Sequence, residues 1–192
     1  LKPVGAVCNL ACDYCYYLEK SRLYQENPKH VMSDELLEKF IEQYINSQTM
    51  PQVLFTWHGG ETLMRPPSFY KKAMELQKKY ARGRSIDNCI QTNGTLLTDE
   101  WCEFFRENNW LVGVSIDGPQ EFHDEYRKNK MGKPSFSIFS PFTSTIFHLP
   151  SNFFASVLTS EQENNIPTKA GIIKSVKIAF FIFYFFIYNN HS

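Results

Sequence analysis

Between Ser33 and Ile45 the apolar residues fall at Leu36, Leu37, Phe40, Ile41, Tyr44 and Ile45, which is one face of a helix. Ser33 stands at the N-cap, and Asp34 and Glu35 fill the first turn, where carboxylates suit the helix dipole. Val53 to Trp57 predicts a short strand. Ser68 to Tyr80 predicts a helix, with Phe69, Ala73, Leu76 and Tyr80 at helical spacing. Ile86 to Gln91 is a second such strand, Thr98 caps a helix carrying Trp101, Cys102 and Phe105, and Leu111 to Ile116 is a third. A further strand is expected at the very start of the chain, before Cys8. Strands alternating with helices predict an α/β fold, a parallel sheet with right-handed crossovers.

The third of these strands carries a sidedness with chemical meaning. Val112, Val114 and Ile116 share one face, which is bulky and suits packing on helices. Leu111, Gly113 and Ser115 share the other, where two small residues leave room for a ligand. Cys89, Gln91 and Asn93 likewise put polar groups on one side. Such an inner surface suits an open barrel that holds a cofactor better than a filled core.

The pattern breaks near Phe136. Before it, charged and apolar residues alternate in regular periods. After it the charges thin out and Phe, Ser, Ile and Asn dominate. This divides the chain into residues 1–136, a core domain, and residues 137–192, an unmatched and poorly ordered tail of read-through or frameshifted character. The tail's apolar run, Ile178 to Tyr188, has 11 residues. That is short of the ~20 needed to span a bilayer, so membrane association is not expected. The chain lacks an initiator Met and is expected to begin inside a strand, so the amino terminus reads as incomplete.

The 192 residues suit one domain with a sizeable core, and the formal net charge of zero gives no electrostatic case for nucleic acid. Of five cysteines, three crowd into eight residues, Cys8-Asn-Leu-Ala-Cys12-Asp-Tyr-Cys15, and no secretory signal opens the chain. An odd cysteine count with this clustering favours a metal or redox site in a reducing, cytoplasmic compartment over a disulfide framework. A structural zinc wants four tetrahedral donors, and the nearest candidate for a fourth is His30. Three thiolates on an iron–sulfur cube leave one iron open to a substrate or cofactor. Cys89 and Cys102 read as small buried hydrophobes.

The stretches KPVGAVCNLACDYCYYLEK, FTWHGGE, QTNGTLL and VGVSIDGPQEFHDEYR resemble the radical SAM enzymes, and among them the anaerobic sulfatase-maturating enzymes, in the right order from Leu1 to about Phe136. The resemblance implies a partial radical SAM (β/α) barrel. It implies a [4Fe–4S] cluster on Cys8, Cys12 and Cys15, whose open iron chelates the amino and carboxylate groups of S-adenosylmethionine. It also implies cleavage of that cofactor to a 5′-deoxyadenosyl radical and oxidation of a sulfatase Cys or Ser to formylglycine. By the same resemblance Gly59 and Gly60 offer backbone carbonyls to the methionine amine, since glycine permits close approach. Ser115 and Arg127 match positions that contact S-adenosylmethionine, Arg127 as a fork for its carboxylate. Tyr14 is placed to pack against the adenine or bond it through its backbone. Gln91 and Asn93 are further polar candidates. His58, where some relatives carry Gln, is assigned proximity to cofactor or substrate, and Asp117-Gly118-Pro119 reads as a turn after the strand.

The implied partners are a sulfatase polypeptide as substrate and an electron donor such as flavodoxin or ferredoxin. The family continues with later strands, a catalytic aspartate and two auxiliary clusters, whereas residues 137–192 contain no cysteine. The expectation is therefore a truncated, inactive fragment whose last parallel strand has an exposed edge. The alternatives are a radical SAM peptide maturase of another type and a non-catalytic iron–sulfur or metal-binding fragment.

Overall fold

The computed structural model describes residues 1–20, 31–117, 119–137, 163–168 and 171–182. His30, Gly118 and the last residues of the apolar run, 183–188, lie outside them. Helix α1 (Asp34–Ser47) begins at Ser33, whose hydroxyl accepts from the Leu36 amide at 3.2 Å. Strand β1 (Gln52–Trp57) is followed by α2 (Pro67–Tyr80), β2 (Ser85–Thr92), α3 (Asp99–Glu107), β3 (Leu111–Ile116) and the short α4 (Gln120–Tyr126). Thr98 caps α3 by accepting from the Trp101 amide at 3.4 Å. Each cap satisfies an amide the helix itself cannot, worth about 1 kcal/mol.

β1, β2 and β3 are parallel neighbours, in register from Val53↔Ile86 to Trp57↔Ile90 and from Cys89↔Leu111 to Thr92↔Val114. The two-residue period puts Val53, Phe55, Trp57, Ile90, Val112, Val114 and Ile116 on one face, and all are buried against α1, α2 and α3. Trp57 is the hub of this core. It stacks on Trp110 at 6.1 Å and meets Tyr70 edge-on at 5.3 Å. Its indole N–H is not left stranded: Asn88 Oδ1 accepts it at 2.8 Å, and Asn88 in turn exchanges two hydrogen bonds with Gln77 of α2.

The opposite face carries Leu54, Thr56, Cys89, Gln91, Gly113 and Ser115. Leu54 is 51% exposed, and Gln91 donates to Ser115 Oγ at 2.7 Å. One face of β3 thus packs on helices and the other is small and polar, as its alternation indicated.

Three expectations need correction. Leu1 to Val7 forms turns and no strand; only Leu1 meets β1, donating its amino group to Thr56 O and accepting the amide of His58, just past the strand, at 2.8 Å. A Gly and a Pro within seven residues disfavour extended pairing there. Next, the edge of β3 is not open. Strand β5 (Gly171–Ile182) lies parallel to it from Val112↔Ile178 to Ile116↔Ile182, and β4 (Glu163–Thr168) pairs antiparallel with β5, giving the order β1-β2-β3-β5-β4. An apolar, β-branched and aromatic run is what an unpaired strand edge recruits. Third, Cys102 is buried but Cys89 is half-exposed, its thiol on Thr56 Oγ1 at 3.3 Å, because it falls on the polar face. No described helix is long and apolar enough to cross a membrane.

Candidate functional site

The three cysteines lie in a loop that winds over the carboxyl ends of β1, β2 and β3, where parallel α/β sheets place their ligands. Three backbone contacts hold it there. The Glu61 amide donates to Val7 O at 2.8 Å, tying the loop's entry to the turn after β1. Ala11 N–H donates to Lys128 O at 2.8 Å and Asp13 N–H to Tyr126 O at 3.0 Å, tying its middle to the end of α4. Cys15 N–H closes a turn onto Cys12 O at 2.9 Å.

Gly59 and Gly60 make the turn after β1 with φ of +94° and +57°. A Cβ on Gly60 would stand 2.1 Å from Val7 O, so only glycine fits between the cysteine loop and the strand end. Glu61 follows and is 1% exposed. Its Oε1 accepts from the Leu63 amide at 3.0 Å and Thr92 Oγ1 at 2.6 Å, and its Oε2 accepts from the Asn93 amide at 2.8 Å. Burial pushes this carboxyl up, while the three donors pull it back. The signal for Glu61 was present in the Gly-Gly-Glu run, but its role as a clamp between β1 and β2 was not read from it.

On the other side of the loop, Arg127 is buried beside Asp117, with Nε and Oδ1 3.0 Å apart. The N–H is not aimed along that approach, so neither atom is satisfied as a hydrogen bond. Tyr14 donates its hydroxyl to the other oxygen of Asp117, and its ring lies under the Arg127 guanidinium at 5.8 Å. Burial, then the acceptor Asp117, holds the Tyr14 phenol protonated well above its ordinary range. Asp117 is therefore more than the turn residue the sequence suggested. Ser115 lies on the inner face with Gln91, exposed His58 faces Tyr17 at 6.4 Å, and Asn93 meets the cysteine loop.

Do these residues fit an iron–sulfur cluster? Burial pushes the Cys8 thiol up and takes Cys12 to about 11, so metal loading must displace protons. After burial, the largest influence on Cys12 is Arg127, which favours the thiolate. A buried cation beside Cys12, in a loop of three thiols, suits an anionic cluster. Among the described residues no three His, Cys, Asp or Glu side chains close around one ion. A zinc site needs its donors about 2.0–2.3 Å from a single point, whereas a cube hangs each thiolate on a separate iron. Three thiols on one loop, one of them beside a buried cation, are the donor chemistry that a cube with one open iron takes.

His123 is a buried neighbour of this site that the sequence did not single out. Its Nδ1 accepts from the Asp117 amide at 3.3 Å. Its Nε2 lies 3.0 Å from Ser135 Oγ, and that hydroxyl is already committed as donor to Arg127 O at 2.8 Å. Nε2 must therefore carry the proton, and the ring is neutral. Protonating Nδ1 would set it against an amide N–H, and burial, then Arg127, lowers the His123 pKa to about 4. The unfolded chain takes up this proton near pH 6.5, the folded chain only near pH 4. Stability is complete above pH 6.5 and is lost as pH falls toward 4. The expected loss between pH 7.5 and 5 is on the order of 2 kcal/mol, absent in His123→Gln; denaturant melts of both proteins at both pH values check it. Equal losses in the two would refute the assignment.

Residues 3–139 match the model of the Radical SAM superfamily, and the chain belongs to that family. Its members carry a [4Fe–4S] cluster and use S-adenosylmethionine. Over 136 residues the chain is 93% identical to a serine-type anaerobic sulfatase-maturating enzyme of Bacteroides thetaiotaomicron, covering 71% of this chain and 33% of that protein. Over 138 residues it is 38% identical to a cysteine-type anaerobic sulfatase-maturating enzyme of Clostridium perfringens, covering 71% and 37%. Among solved structures, native anSMEcpe with bound AdoMet and Cp18Cys peptide superposes with a TM-score of 0.63 at 37% identity, over 73% of this chain and 36% of that one. The chain thus spans about a third of the length of the curated relatives it matches.

Proposed function

We propose that residues 1–136 are the part of a sulfatase-maturating radical SAM enzyme that binds its [4Fe–4S] cluster and S-adenosylmethionine. The observation that carries this is the convergence of the Cys8–Cys15 loop, the Gly59–Gly60 turn and the Asp117–Arg127 pair at one end of three parallel strands. Cys8, Cys12 and Cys15 would hold the cluster. Gly59 and Gly60 would admit the methionine amine to backbone carbonyls, and Ser115 would offer a hydroxyl from the inner face. Arg127, with hydrogen-bonding capacity unused in the buried pair, would meet the carboxylate. Tyr14 would keep Arg127 and Asp117 in place beneath the cofactor. When bound, the cluster supplies the electron that cleaves S-adenosylmethionine to the 5′-deoxyadenosyl radical. The substrate class proposed is a sulfatase segment, with the electron from a flavodoxin or ferredoxin. All five cysteines are free thiols, which suits a reducing, cytoplasmic setting.

The test is a titration of the anaerobically reconstituted chain with S-adenosylmethionine, followed by the cluster's absorption and paramagnetic resonance. The spectrum is expected to change on addition, and Ser115→Ala is expected to weaken binding about 2- to 10-fold, the loss of one hydrogen bond. A spectrum indifferent to the cofactor, or an unchanged titration in the variant, overturns the placement.

A further inference from the structure

Asn93 was singled out in the sequence only as a polar candidate near the cofactor, and the structure shows it in a more particular position. Its side-chain Nδ2 lies 3.6 Å from Cys8 Sγ and 2.9 Å from Asn9 Oδ1. An amide could be turned the other way, but here the orientation is decided. Asn93 Oδ1 accepts from the Thr95 amide at 2.9 Å and from Thr95 Oγ1 at 2.6 Å. Turning it over would set its NH₂ against the Thr95 N–H. The sulfur therefore faces a donor. Asn9 closes the network by donating from Nδ2 to Thr95 Oγ1 at 2.7 Å.

The backbone of Asn93 is held as firmly. Its amide donates to Glu61 Oε2, the buried carboxylate that also takes Thr92 and Leu63. One chain of contacts runs from the Gly59–Gly60 turn through Glu61 and Asn93 to the sulfur of Cys8. The Leu10 amide, 3.4 Å from the same sulfur, is its second donor. Among the described residues neither Cys12 nor Cys15 sulfur receives one, so the three thiols are unequal.

We infer that Asn93 is a positioning residue that donates an N–H···S hydrogen bond to the Cys8 thiolate and raises the reduction potential of the cluster bound there. The inference rests on the cluster assignment above. Reduction adds negative charge to the cluster and its thiolates. A donor aimed at one of those sulfurs favours the reduced state, and hydrogen bonds to sulfur are among the protein's levers on such potentials. Asn93→Ala removes the donor. Asn93→Asp, of the same shape, puts a carboxylate oxygen against the sulfur and should act more strongly in the same direction.

The experiment is a redox titration, read by paramagnetic resonance, of the reconstituted 192-residue chain and both variants, with iron counted in each. Iron per chain is expected to match in all three. The potential should fall in the order wild type, Asn93→Ala, Asn93→Asp, the last by up to about tenfold in the one-electron equilibrium, about 59 mV. Equal potentials at equal iron, or a rise, overturn the inference while leaving the cluster assignment standing. A wild-type chain that binds no cluster overturns that assignment, and this inference with it. Should Asn93→Ala lose iron, the decision passes to a measurement on the wild type. With asparagine labelled by ¹⁵N in its side-chain amide, a ¹⁵N coupling to the reduced cluster is expected, and its absence overturns the inference.

Discussion

Cys12→Ala is expected to bind almost no iron or sulfide where the wild-type chain, reconstituted without oxygen, approaches four of each. The wild-type count is that of one cube. Only the Cys8–Cys15 loop can supply three thiolates, because Cys102 is buried in the α3 face of the core and Cys89 lies on the sheet bonded to Thr56. Removing one of three ligands leaves a second iron open, and a cube with two uncapped irons is labile. The loop itself should survive, since Cys12 contributes its carbonyl, not its side chain, to the turn that receives the Cys15 amide. Far-ultraviolet circular dichroism should therefore match that of the wild type. Cys102→Ala is the control: it leaves a small cavity beside Trp101 and Phe105, costs about 1 kcal/mol, and should keep its iron. A full cluster retained in Cys12→Ala would remove the basis for the site.

Gly60→Ala should be severely damaging for a single added methyl. The position has φ +57°, which costs a residue with a Cβ about 1–2 kcal/mol by itself. The added atom would also lie 2.1 Å from Val7 O, the acceptor that ties the cysteine loop to the Glu61 amide. Backbone on both sides cannot swing away as a flexible side chain could. A total of about 2–4 kcal/mol is expected in denaturant melts, together with at least a tenfold weaker spectral response to S-adenosylmethionine. Gly83→Ala separates the two causes. Its φ is +81°, but nothing lies within 4 Å of the added Cβ, so it should cost only the backbone strain and leave the cofactor response intact. Similar behaviour of the two variants would show that the packing of Val7 on Gly60 is not what shapes the site.

The sequence by itself determined the three central strand–helix units and the class of chemistry, though not the turns of Leu1 to Val7 or the strands beyond β3. Ser33 and Thr98 announce their helices because a cap acts within three residues of itself. The two-residue alternation of Val112, Val114 and Ile116 fixes which side of β3 meets the helices. Three cysteines inside eight residues need no fold to be singled out as a candidate ligand loop. What the tertiary structure decided joins residues far apart in the chain. Asn93 reaches Cys8 across 85 positions, Tyr14 reaches Asp117 across 103, and Glu61 clamps Asn93 across 32. The covering of the β3 edge by Gly171–Ile182 is of the same kind: the apolar run was visible, its partner was not. Local periodicity carries no information about which carboxylate a buried amide will find. That choice is made when burial removes water and leaves each polar group only the partners that packing brings within 3 Å.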